Sequence, residues 1–136
     1  MLKIKRLTQT AKLPTRKDTD VGYDLYADSI ETESDSNAIV IHTGIAIEMP
    51  TGIWGMIADR SGMGKKGFNV HGGIIDNSYR GEIIVVLYAH RDDISVSAGD
   101  KIAQLILMPQ VMVPIEEVSE LSNTERGDKG FGSSGK

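Results

Sequence analysis

Cysteine is missing from this chain of 136 residues, which excludes a disulfide framework and any thiolate metal site and suits a cytoplasmic protein. Long apolar runs are missing too. The N-terminal stretch MLKIKRLTQTAKLP lacks the apolar core of a signal peptide, and no stretch approaches the roughly 20 apolar residues of a membrane span. No window of a dozen residues carries sustained helical spacing with caps. Basic excess is lacking as well. The net charge of −4 argues against a general nucleic-acid binder, because phosphate backbones are met by basic surfaces. A small anionic ligand remains compatible with that charge, since a few local cations, backbone amides and a metal can hold a triphosphate.

What is present is glycine, 15 residues of it, punctuating short apolar runs. The length is that of one domain with a proper core. Ile39 to Ile41, Ile45 to Glu48, Ile53 to Ile57, Glu82 to Tyr88 and Ile102 to Met108 read as strands, the last ended by Pro109. Short strands with close turn signals predict an all-β sandwich or barrel. Residues 28–37 are acidic and polar and read as an exposed loop. Residues 1–121 form the predicted core. Residues 122–136 (SNTERGDKGFGSSGK) are polar and glycine-rich, as in a frayed terminus. A lone aromatic, Phe131, close to Arg126 also suits an arm that closes over a flat, charged ligand.

Five segments stand in order along the chain: Val21 to Ala27 (VGYDLYA), Asp59 to Gly67 (DRSGMGKKG), Gly72 to Leu87 (GGIIDNSYRGEIIVVL), Ala98 to Leu105 (AGDKIAQL) and Glu125 to Lys136 (ERGDKGFGSSGK). In identity, order and spacing the set resembles the five motifs of the trimeric dUTPase family. The resemblance implies a distorted jelly roll of the β-clip type and a homotrimer with active sites shared between subunits. It implies a magnesium-dependent hydrolysis of dUTP to dUMP and pyrophosphate, which limits uracil in DNA and supplies dUMP for dTMP synthesis.

Residue by residue, the resemblance makes Asp76 the carboxylate that orients and activates the attacking water. In-line hydrolysis at phosphorus needs such a group, although a turn aspartate often only bonds its own backbone. Apolar residues on either side of Asp76 predict two strands joined by a turn. Tyr79 matches the ring that packs under deoxyribose and rejects a 2′-hydroxyl. The main chain at Gly72 and Gly73, read as part of a β-hairpin, matches the uracil reader, whose fixed donors and acceptors would reject cytosine. Arg60, Ser61 and Gly62 match the phosphate-binding segment, where the amides of a short helical turn suit an anion. Gln104, polar inside an apolar run, matches the glutamine at the α-phosphate and water; a solvent-facing glutamine on an edge strand is the plain alternative. Asp24 matches the carboxylate that reaches Mg2+ only through a metal-bound water. Arg126 would clamp the γ-phosphate, Phe131 would stack on uracil, and Gly132, Ser133 and Ser134 would close with the arm. Arg80 is expected to support the site through an ion pair.

Two departures stand out. Asp59 occupies the place of a common proline, and Met63-Gly64 that of Leu-Ala. A carboxylate near phosphates is unhelpful unless it pairs with a cation or points away. A dCTP deaminase of the same fold and a dUTPase-like regulatory binding module are the competing readings. The Asp76 to Tyr79 segment and the phenylalanine-bearing tail favour the hydrolase.

Overall fold

The computed structural model describes residues 1–32 and 37–130. Among them the glycine-punctuated runs form nine strands: β1 (Lys3–Arg6), β2 (Tyr23–Tyr26), β3 (Ser29–Thr32), β4 (Ala38–Glu48), β5 (Ile53–Ala58), β6 (Phe68–His71), β7 (Ile74–Ile75), β8 (Glu82–Ala89) and β9 (Lys101–Pro109). One six-residue helix, α1 (Ser61–Lys66), follows β5 and is stopped by Gly67 in the left-handed conformation. Every strand pairing is antiparallel. One sheet runs β1-β4-β8-β6, with β3 also on β4, and the other runs β2-β9-β5-β7. From β5 onward the chain alternates between the sheets, as in a jelly roll.

The core lies between the sheets. In β8 the unbroken apolar run resolves into alternation, with Ile83, Val85 and Leu87 buried and Ile84 exposed. Leu25, Ile41, Ile102 and Leu105 meet them from β2, β4 and β9.

Two expectations change. Residues 28–37 are not one exposed loop, because Ser29–Thr32 pairs with β4 and Ile30 packs against the core. Strand β3 looks polar because Ser29 and Glu31 flank the one apolar residue, Ile30, that reaches the core. Nor are the turns after β6 and β7 hairpins. Strand β6 pairs with β8 and β7 with β5, so Gly72-Gly73 and residues 76–81 are crossovers between the sheets. Adjacency in sequence suggested a pairing that the two-layer packing does not use.

Among the described residues beyond Pro109 there is no strand or helix. Gln110 N still bonds Gly52 O at 2.8 Å, but every described residue from Gln110 to Gly130 is exposed. Val111, Met112, Val113, Ile115 and Leu121 are among them. Phe131, Gly132, Ser133 and Ser134 lie outside the described residues.

Candidate functional site

The register of the second sheet places Asp24 beside Gln104 and Gln104 beside Ala58. Three of the motif segments therefore meet in one row. Strand β5 runs on into Asp59 and Arg60, and Arg60 Nε donates to Asp24 Oδ1 at 2.8 Å. Lys101 Nζ donates to Asp24 Oδ2 at 2.7 Å. Partial burial pushes the Asp24 carboxyl up, but the hydrogen bonds and charges of Lys101 and Arg60 outweigh it and hold the group below the ordinary carboxylate value. The same bond holds Lys101 above its ordinary value.

Gln104 is not on an edge strand, since β9 lies between β2 and β5. Its Nε2 donates to Asp59 O at 2.8 Å. The Asp59 carboxylate turns toward β6, where Oδ1 accepts from Val70 N at 2.6 Å. The residue in place of proline therefore points away and caps a strand amide. Ser61 and Gly62, exposed at the start of α1, have amides with no intrahelical partner. Next to them a cleft of about 240 Å³ is lined by Arg60, Gly62, Lys66, Asp100 and Lys101, among others. Arg60, Lys66 and Lys101 outnumber Asp100 together with the Asp24 that pairs with two of them, so the cleft suits an anion.

A second cleft, of about 170 Å³, is lined by Ile74, Ile75, Asp76, Tyr79, Glu82 and Ile84. Asp76 closes its turn with the main chain, its O accepting from Tyr79 N at 3.1 Å. Among the described residues no protein donor holds its side-chain carboxylate. Asn77 pins the turn to the entry of β5, its Nδ2 donating to Pro50 O at 2.8 Å and to Ile53 O at 2.6 Å. Arg80 works differently from the expected ion pair. Its Nη1 donates to Asn77 O at 2.6 Å and Tyr79 O at 2.9 Å, because the crossover presents carbonyls where a carboxylate was expected. Gly73 has φ 98, and its O accepts from Ile57 N at 2.7 Å. A β carbon there would lie 2.6 Å from Ile57 O, so the approach of this crossover to β5 requires glycine. Gly72 has φ 73 and is exposed.

The chain brings Asp24, Arg60 and Gln104 together, and Asp76 with Tyr79, but it does not bring the two sets together. Gln104 pairs with Ala58 while Ile75 pairs with Gly55. Two strand spacings across and about four residues along put Asp76 on the order of 15 Å from Gln104. Arg126 stands in the exposed tail segment, its Nε bonded to Lys129 O, and among the described residues no hydrogen bond or ion pair joins it to either set. Sequence reasoning missed Gly22, Asn77 and Lys101. Lys101 carried a usable signal, a cation opening the strand that bears Gln104.

The sequence profile of the dUTPase family matches residues 9–135. The chain is 42% identical to the deoxyuridine 5'-triphosphate nucleotidohydrolase of Candida albicans, covering 99% of this chain and 88% of that one. It is 43% identical to the enzyme of the same name from Monkeypox virus, covering 94% and 86%. Among solved structures, a mutant of the Staphylococcus bacteriophage 80alpha dUTPase with dUpNHpp superposes with a TM-score of 0.87 at 29% identity, over 99% of this chain and 98% of that one. A dUTPase mutant from phage phi11 of S. aureus, whose structure describes coordination of a structural Mg(II) ion, matches with a TM-score of 0.76 at 25% identity over 88% and 97%.

Proposed function

The chain belongs to the dUTPase family and is a dUTP diphosphatase, and on that premise we propose how its residues divide the work. The unclaimed carboxylate of Asp76, in a cleft with Tyr79, takes a proton from water and aims it at the α-phosphorus. Tyr79 is the floor for the deoxyribose, and the main chain at Gly72 and Gly73 reads uracil. Arg60 and the amides of Ser61 and Gly62 hold phosphate oxygens, and Gln104 orients the α-phosphate and the water. Arg126 and Phe131 close from the tail, with Gly132 and Ser133 behind them.

The single observation that carries this division is the strand register, which sets the β7 end before Asp76 two strands across and several residues along from Gln104. Contacts to one α-phosphate and its attacking water are each roughly 3 Å long, so the two groups meet most readily when different subunits supply them. We therefore propose sites shared between subunits, within the homotrimer that the family resemblance implies. The apolar side chains of Val111, Met112, Val113, Ile115 and Leu121, all exposed in this chain, support assembly, because burying them against another chain removes them from water.

The donor set also fits Mg2+ carried by the substrate. Mg2+ takes most of its ligands from phosphates and waters, and asks of the protein only a carboxylate that can accept from a metal-bound water. Each Asp24 oxygen has one cation partner and keeps capacity for a metal-bound water. Bound there, the ion would neutralise charge on the phosphates. Asp24 and Arg60 then fix the position of the phosphate chain from the protein side.

Steady-state assays with dUTP, dCTP and UTP test the assignment. Pyrophosphate from dUTP alone supports it, whereas ammonia from dCTP would favour the deaminase chemistry.

A further inference from the structure

Glu82 ties the nucleoside cleft to an irregularity in the neighbouring strand β4. Its Oε2 lies 2.9 Å from His42 Nδ1, and its Oε1 accepts from Gly44 N at 2.8 Å. Both partners sit at the break in the β4–β8 register between His42 and Ala46, where Gly44 takes a φ of 66. On the far side of the ring, Glu31 Oε1 of β3 lies 3.4 Å from His42 Nε2. The main chain of Glu82 serves the cleft, since its O accepts from the Tyr79 hydroxyl at 2.9 Å. The Tyr79 ring folds back over Gly81, where a β carbon would come within 2.6 Å of Tyr79 Cζ. Among the described residues, Glu82 O is the one protein partner of that hydroxyl.

We propose that Glu82 is a positioning residue for sugar discrimination: clamped by His42 and Gly44 at the β4 bulge, it fixes the carbonyl that anchors the Tyr79 hydroxyl and so sets the height of the ring under the sugar. This rests on Tyr79 being the deoxyribose floor. A ring fixed at one height excludes a 2′-hydroxyl, and a ring free to sink admits it. The clamp is also sensitive to pH. Among the described residues, Glu82 on β8 and Glu31 on β3 are the ionisable groups within ion-pair distance of His42. The hydrogen bond to Glu82 raises the His42 value first. Partial burial opposes it, and the charges of Glu82 and Glu31 add to the rise. Protonated His42 grips Glu82 through a charged hydrogen bond, which loses its charge as pH rises through the elevated value.

The test is the ratio of kcat/KM for dUTP to that for UTP across pH, for the full-length wild type, Glu82→Ala, Glu82→Gln, Tyr79→Phe, Tyr79→Ala and the Glu82→Ala/Tyr79→Phe double variant. Glu82→Ala and Tyr79→Phe should each lower the ratio about tenfold, through a gain on UTP, and the double variant should lose no more than either. Glu82→Gln keeps an acceptor for Gly44, so it should restore the ratio while flattening its fall at high pH. If Glu82→Ala does not fold, Tyr79→Phe and the Glu82→Gln pH profile carry the decision. Loss of discrimination in Tyr79→Ala, with a wild-type ratio and pH profile in Tyr79→Phe and both Glu82 variants, overturns the positioning role alone. Full discrimination in Tyr79→Ala removes the sugar floor, and the positioning role with it.

Discussion

Gly22 lies against Gln104: a β carbon added at Gly22 would stand 2.9 Å from Gln104 Cδ and closer still to Oε1. Strand β2 and strand β9 can thus seat the Gln104 amide on Asp59 O only while residue 22 has no side chain. Gly22→Ala should push the amide off its carbonyl, and strand β9 must also give slightly, because the added carbon would stand 3.0 Å from Gln104 Cβ. Turnover should fall as far as in Gln104→Ala, with a modest drop in thermal midpoint. Unchanged kcat in Gly22→Ala would remove Gln104 from the chemistry.

Asp76 contributes its carboxylate to the cleft rather than to its own turn, whose hydrogen bond runs through the main chain. Asp76→Asn should therefore leave the turn intact and dUTP binding near wild type. Its kcat should drop roughly a thousandfold, the usual scale for a lost general base. Single-turnover kinetics with a direct binding measurement separate the two effects, and a variant that turns over at the wild-type rate would exclude the base.

Asp24 stands between two cations, and replacing it with asparagine leaves both half-paired. Asp24→Asn should raise the Mg2+ concentration needed for half-maximal turnover, with partial recovery at saturating metal. Excess chelator should suppress turnover of the wild type. A magnesium titration curve unaltered by Asp24→Asn would place this carboxylate outside the metal's reach.

His42 links ionisation to stability. Its folded value lies above the ordinary one through the Glu82 hydrogen bond, with burial opposing and the carboxylate charges adding. A raised value means that protonation favours the folded state. The contribution is fully present below the unfolded value of about 6.5 and is lost as pH rises through the folded value. The difference in thermal midpoint between wild type and His42→Gln should shrink from about pH 5.5 to about pH 8.5. A constant difference would mean that the ring acts by shape alone.

The strands of β5, β8 and β9 were legible because β-branched runs bounded by glycine and proline leave little else to form. The motif segments singled out Asp24, Arg60, Gln104, Asp76 and Tyr79 as candidates without a structure. Which sheet each strand joins was not legible, since nothing local to Gly72-Gly73 or to residues 76–81 distinguishes a hairpin from a crossover. Strand β3 was hidden by its polar composition, and Ile30 was the one residue that spoke for it. Asp59 left two outcomes open, pairing with a cation or pointing away, because sequence gives the residue and not its direction, which the Val70 amide decides. Gly22 was invisible for a related reason. The need for glycine there comes from a side chain on another strand.

The most direct measurement mixes Asp76→Asn chains with Gln104→Ala chains, each inactive alone, under conditions of subunit exchange. If one chain supplies Asp76 and another Gln104, equal random mixing should restore about a quarter of wild-type sites. Activity no higher than the sum of the separate variants, in trimers shown by mass to be mixed, would mean that each site is built within one chain.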